Sequence, residues 1–179
     1  MEIVFAGFGG QGVLTAGLIV AEMALETGKN VTWMPAYGPT MRGGKAYSVV
    51  KYSEGEIGGP DMEDVDILVA MNEPSLEYTS FMKDGGLIIA NADNVSENAK
   101  IDDRFNVLRI PCLEMALNIN NNNNKGATIV AIGAMIHKSS LFSLELSKKV
   151  LYDIFASKGK QKYASANEAA FMSGWNVIK

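Results

Sequence analysis

The sequence predicts an α/β protein: one three-layer domain over residues 1–179, with a mostly parallel sheet and helices on both faces. Three observations carry this. Short β-branched or aromatic runs alternate with segments of helical periodicity, the pattern of a sheet covered on both faces. A glycine-rich turn, GFGGQG, separates the first such run from the first helix. No internal repeat and no Pro/Gly/Ser-rich linker divides the chain.

Residues 3–6 read as a buried strand stopped by Gly7. Residues 12–27 read as a helix with Leu14, Leu18, Ala21 and Leu25 on one stripe, closed by Gly28. Residues 31–34 form a second strand ended by Pro35, so the chain opens with a Rossmann-like β-α-β unit. The loop AYGPTMRGGKA follows. Residues 47–52 resume strand character, and their polar alternation predicts a one-sided or edge strand. Residues 66–70, DILVA, are the cleanest buried strand. Asn72-Glu-Pro predicts a helix start, with that helix running to Gly85-Gly86. Residues 87–90 and 107–110 are two more strands.

Beyond Pro111, residues 113–117 are helical. LNINNNNNKG holds six asparagines in seven positions and predicts a solvated loop. Residues 128–137 are apolar all round, and their length favours a buried helix. Residues 144–155 form an amphipathic helix with Leu146, Val150, Leu151 and Ile154 inward. Residues 163–175 form a last helix, with Phe171 and Trp175 four apart.

The 16 basic and 20 acidic residues give a net charge of −4, which argues against a nucleic-acid footprint. The one cysteine, Cys112, cannot close an internal disulfide and cannot alone hold zinc or an iron–sulfur cluster. A single thiol fits a reducing compartment. No window approaches the ~18–20 apolar residues of a membrane span, and the opening run lacks a basic flank. The expectation is a soluble cytoplasmic protein with no membrane and no nucleic-acid partner.

Gly7, Gly9 and Gly12 fit G-x-G-x-x-G in the context that gives the pattern meaning, between strand and helix. A helix start offers unpaired N–H groups and the positive end of its dipole, and glycines let an anion approach closely. Phosphate binding and a purely structural tight turn both remain open on the residues alone. NAD is disfavoured: an acidic residue is expected at the end of the second strand, where this chain has Trp33-Met34-Pro35 and no acid before Glu54. No Lys-Ser or Lys-Thr follows the glycines, so this is no nucleotide P-loop. In YGPTMRGG, Arg42 precedes Gly43 and Gly44 in a loop expected near the strand ends, where open sheets bind ligands. A surface turn with a solvated arginine is the competing reading.

GFGGQGVLTAG, YGPTMRGG, DILVAMNEPSL, KDGGLIIAN and NEAAFMSGW occur in one order. Together they resemble the gamma subunit of 2-oxoacid:ferredoxin oxidoreductases, from residue 3 to about 176. The resemblance implies a component, inactive alone, of a complex converting pyruvate, 2-oxoglutarate or ketoisovalerate with coenzyme A to acyl-CoA and carbon dioxide. It implies alpha, beta and ferredoxin-like delta partner subunits. Thiamine diphosphate, magnesium and iron–sulfur clusters would sit on those partners, leaving no catalytic or metal residue here. It further implies coenzyme A binding at Gly7, Gly9, Gly10, Gln11 and Gly12. N–H groups of residues 9–12 would meet the phosphates and the Gln11 amide would add a bond. Arg42, with Gly43 and Gly44, would contact the coenzyme or a neighbouring subunit. Thr40 and Thr128 stand where the family often has Glu and Asn, and the asparagine run is a further departure. A scaffold subunit whose glycines only shape an interface, and a stand-alone dinucleotide-binding protein, are the alternatives. Exposed apolar surface would let the isolated chain self-associate, for instance as a homodimer.

Other chemistry-bearing residues read more plainly. His137, the only histidine, stands beside Lys138 at the end of an apolar stretch and suits a capping or surface role. Cys112 suits small packing. The ten methionines are scattered and read as core. Asp61, Glu63, Asp64 and Asp66 read as a solvated acidic loop. Lys148, Lys149 and the lysines at 158, 160 and 162 read as exposed helix faces.

Overall fold

The apolar run after Met1 forms β1 (Glu2–Phe8), buried from Glu2 to Gly7. The strand continues past Gly7 because one of its two neighbours, the antiparallel one, stays paired as far as Phe8. The computed structural model describes residues 1–38, 43–119, 124–157, 159 and 161–177. Arg42, Thr40, the asparagines at 120–123 and the lysines at 158 and 160 lie outside the described residues. The chain divides into two compact units, Met1–Ile110 and Pro111–Lys179.

In the first unit β1 leads into α1 (Val13–Glu26), then β2 (Asn30–Tyr37), β3 (Lys45–Ser53), β4 (Val65–Ala70), β5 (Met82–Asn91) and β6 (Asn106–Ile110). The six strands lie in the order β2-β3-β1-β4-β5-β6. β1, β4, β5 and β6 pair in parallel. β3 is antiparallel to both β1 and β2, so five of the six strands share one direction. The sheet is mostly parallel, as the alternating pattern predicts.

Three local expectations change. β3 is interior rather than edge, and the opening β-α-β unit is split by it. The polar alternation of β3 misleads because Lys51 is buried and paired: Nζ lies 2.6 Å from Glu63 Oε2 and 3.5 Å from Glu2 Oε2. β2 is an edge strand and runs through Pro35 to Tyr37, since an edge strand tolerates a residue without an N–H. The segment after Asn72 is a 3-10 helix, Glu73–Phe81, and Gly85-Gly86 belong to β5 rather than to a helix end. Register shifts between Val65 and Ile67 against β5, and Gly85 (φ +78) supplies the bulge, its N–H bonding Arg104 O at 2.9 Å.

Helix α1 packs on β1, β2 and β3. Its contact is close because Gly17 lacks a Cβ: one built there would stand 2.9 Å from Trp33 Nε1 and from Ser48 Cβ. Ser48 Oγ donates to Val13 O at 2.8 Å. The opposite face buries Val4, Ala6, Val49, Leu68, Ala70, Ile88 and Ala90 beneath Leu76, Tyr78, Ala99 and Ile101. Each fully buried aliphatic side chain contributes about 1.5–3 kcal/mol.

The second unit holds α2 (Cys112–Ile119), α3 (Ala127–Ser139), α4 (Leu144–Ser157) and α5 (Ala164–Asn176). α3 is buried at every position from Ala127 to Ile136, as expected of its all-round apolar sequence. α4 buries Val150, Leu151 and Ile154 and half-buries Leu146. α3 and α5 cross at two glycines. A Cβ on Gly133 would overlap the carbonyl oxygen of Phe171, and one on Gly174 that of Val130. Among the described residues, no helix is long and apolar enough to cross a membrane.

Two outcomes follow. Gly174→Ala should destabilise the chain by at least about 2 kcal/mol in denaturant unfolding, because backbone rather than a side-chain end must move. Stability should also fall in alkali. Burial, aided by the Asp66 charge, pushes the Tyr52 phenol up to about 12. Burial, with Glu77 and Tyr47, pushes Tyr78 to about 12. Burial lowers the Lys51 pKa, but the Glu63 hydrogen bond and the charges of Glu2 and Glu63 raise it more. All three folded values lie above the unfolded ones, so their contributions are present below about pH 10 and lost as pH rises through the folded values. Ultraviolet titration should show a late phenolate phase centred near 12, diminished in Tyr52→Phe.

Candidate functional site

The carboxyl end of β1 is where the glycines gather. Gly10 (φ +101) and Gly12 (φ +84) occupy the left-handed region, and Gly12 is the N-cap of α1. Gly7 is glycine for a different reason. A Cβ there would stand 2.6 Å from Gln11 Oε1 and 3.1 Å from both Met71 Cβ and Val13 Cγ1.

The second glycine pair meets the first. Gly9 N–H donates to Gly44 O at 2.8 Å and Gly43 N–H to Gly9 O at 3.2 Å, prolonging the β1–β3 ladder beyond Phe8 and Lys45. Gln11 N–H is turned back onto Phe8 O at 3.0 Å. The four N–H groups expected to face a phosphate therefore narrow to Gly10 and Gly12, joined by the first turn of α1. Those at a helix start have no intrahelical acceptor. A cavity of about 410 Å³ opens beside them, lined by Phe8, Gly9, Gly10, Gly12 and Val13, with Tyr37 and Ala46 opposite. Tyr37 is 67% exposed.

Gln11 faces inward. Its Oε1 accepts from Phe8 N at 2.6 Å and from Asn72 Nδ2 at 3.1 Å, and its Nε2 donates to Met71 O at 3.4 Å. Asn72, Met71 and Asn91 escape the sequence reading as partners of Gln11 because their signal is topological: they sit at the ends of β4, which lies beside β1, and of β5, the next strand over. The Asn-Glu-Pro helix start does reveal Asn72 as a cap, and its Oδ1 accepts from Ser75 N at 3.2 Å.

Elsewhere the sequence readings resolve simply. His137 Nδ1 lies 2.6 Å from Trp175 O, and the two rings stack at 4.6 Å. Cys112 is buried. Met23, Met71, Met82 and Met135 are core. The acidic cluster is partly neutralised: Glu63 pairs with Lys51, and Asp66 with Lys83 at 2.8 Å. Among the described residues, no three or more His, Cys, Asp or Glu gather as metal ligands.

This is a glycine-turn α/β protein whose strand order differs from that of the dinucleotide-binding fold, in which the second strand lies beside the first. It belongs to the pyruvate ferredoxin/flavodoxin oxidoreductase family, whose model matches residues 2–177. The 2-oxoglutarate synthase subunit KorC of Methanothermobacter thermautotrophicus is 33% identical, the match covering 99% of this chain and 94% of the relative. The ketoisovalerate oxidoreductase subunit VorA of the same organism is 36% identical over 76% of this chain, which spans only 28% of that relative's length. The solved keto/oxoacid ferredoxin oxidoreductase gamma subunit of Geobacter sulfurreducens is 29% identical, with a TM-score of 0.80 over 98% of this chain and 96% of that one. A 2-oxoglutarate:ferredoxin oxidoreductase from Magnetococcus marinus, solved with 2-oxoglutarate, coenzyme A and succinyl-CoA bound, shares the fold. Its TM-score is 0.85 at 23% identity, over all of this chain and 31% of that one.

The two kinds of glycine predict different costs. Gly10→Ala has open space around the new methyl and should cost about 1 kcal/mol of backbone strain. Gly7→Ala must displace the Gln11 amide and should cost roughly 1–3 kcal/mol, both measured by chemical denaturation.

Proposed function

We propose that this chain is the gamma-type component of a 2-oxoacid:ferredoxin oxidoreductase complex, and that its glycine turn seats a phosphate of coenzyme A. The observation that carries this is the pair of uncommitted N–H groups, Gly10 and Gly12, at the mouth of the cavity and the start of α1. The fit is chemical. A dianionic group finds the positive end of a 14-residue helix and no Cβ in the approach at Gly10. The cavity walls of Phe8, Val13, Leu14 and Ala46 suit the apolar parts of such a ligand.

When bound, coenzyme A supplies the thiol that takes the acyl group. This chain's part is to bind and orient it. Thiamine diphosphate, magnesium and the iron–sulfur clusters belong to alpha, beta and delta partner subunits in this reading. One cysteine cannot ligate a cluster. A cytoplasmic setting and homodimerisation of the free chain complete the proposal. A stand-alone NAD protein is disfavoured, because β3 displaces β2 by one strand spacing, about 4.8 Å, from the place where an acid would reach the ribose.

Gly10→Asp tests the seat against a purely structural role. The carboxylate meets the anion site, so the KM for coenzyme A in the anaerobically purified complex should rise at least tenfold, about 1.4 kcal/mol, while the subunits still co-purify. Failure of the subunits to co-purify would favour the scaffold reading. Several 2-oxoacids assayed by dye reduction on the same complex identify the substrate.

A further inference from the structure

We infer that Gln11 is a positioning residue. Its side-chain amide is a wedge between β1 and β4 that holds the glycine turn with the Gly10 and Gly12 N–H groups free for an anion. The inference rests on the reading of that turn as a coenzyme phosphate seat.

The parallel β1–β4 ladder runs to Ala6 opposite Ala70, and Met71 N–H donates to Ala6 O at 2.9 Å. In a regular parallel ladder the next rung would be Phe8 N–H to Met71 O. That rung is not made. Phe8 N donates instead to Gln11 Oε1 at 2.6 Å, and Gln11 Nε2 donates to Met71 O at 3.4 Å. One side-chain amide is interposed in the rung, presenting the C=O and N–H that a peptide group would present. The absent Cβ of Gly7 gives it room.

The wedge is anchored from the far side. Asn72 Nδ2 donates to Gln11 Oε1 at 3.1 Å while Asn72 Oδ1 caps the 3-10 helix through Ser75 N and Oγ. Asn91 Nδ2 donates to Met71 O at 3.2 Å. Asn72 is 4% and Asn91 1% exposed, so water does not replace a lost partner cheaply. With the amide gone, Phe8 N–H and Met71 O are left to close on each other. That closure draws the end of β1 toward β4 and turns Gly10 and Gly12 away from the cavity. The wedge also accounts for where the cavity lies: the β1–β4 crevice is filled, and the opening is on the β3 side.

Two substitutions separate the wedge from general stability. Gln11→Met keeps the length and removes both polar atoms. Asn72→Ser keeps a capping oxygen and removes the amide donor. Calorimetric titration of the assembled complex with coenzyme A should show binding weakened about tenfold in Gln11→Met and severalfold in Asn72→Ser. The double variant should be no worse than Gln11→Met, since both act through one contact. The KM for coenzyme A should rise with kcat unchanged. Amide NMR shifts of Phe8, Gly10 and Gly12 in the full chain without coenzyme should move in both variants, because the surroundings of Phe8 N–H change and the two glycines turn. Wild-type affinity in both variants overturns the inference, as do unmoved shifts. A wild-type complex that binds no coenzyme A, with the shifts still moved in the variants, would remove the coenzyme reading and leave the wedge standing.

Discussion

Everything at the site follows from β1 being paired on both edges by strands of opposite sense. β3 runs against it and β4 runs with it. The two ladders end at different heights, so the chain leaving β1 stands between a partner that continues, through Gly43 and Gly44, and one that has departed at Met71. Backbone groups stranded at such a boundary must find other partners. Gly9 finds β3's loop and Phe8 finds a side-chain amide. Gly10 and Gly12 are what remains, and a helix dipole begins where they lie.

Much of this architecture is legible in the residues because it depends on local rules. The apolar runs at β1, β4 and the end of β5 and the all-round apolar α3 each declare burial. The helical period places α1 but not its buried face: Leu25 is exposed and Leu14 and Leu18 half-buried, whereas Val13, Ala16, Ile19, Val20 and Met23 are buried with Ala21 against the sheet. The order of strands is not local, and there the reading fails. Nothing in residues 1–53 says that β3 slips between β1 and β2, because interior and edge strands differ here by one lysine whose partners, Glu2 and Glu63, are remote in sequence. Gly85-Gly86 misleads for a related reason. Glycine pairs end helices, yet these two serve a bulge demanded by β4. At the site, the glycines are visible as a motif, whereas the two reasons for them are not: positive φ at Gly10 and Gly12, crowding at Gly7. Gln11 is visible too, but its inward turn depends on where Met71 and Asn72 arrive.

The electrostatic character of the two ends of the first unit differs accordingly. At the amino end of β1, charges are taken up internally: Lys51 by Glu2 and Glu63, Lys83 by Asp66. At the carboxyl end, the described residues of the turn carry no charged side chain, and polarity comes from peptide groups and the Gln11 amide. An anion seat built of backbone dipoles, as proposed for this turn, does not depend on the protonation of a side chain.

The crossing of α3 and α5 has a consequence beyond its tightness. Val130 and Gly133 on one helix, and Phe171 and Gly174 on the other, stand one turn apart in matching positions, so each helix offers a notch to the other's carbonyl. Such an arrangement admits only one axial register. Sliding either helix by a single residue would replace a notch with a side chain and drive it into the opposing main chain. The pair can therefore separate but not shear, which makes this contact a fixed pivot rather than a bearing within the second unit.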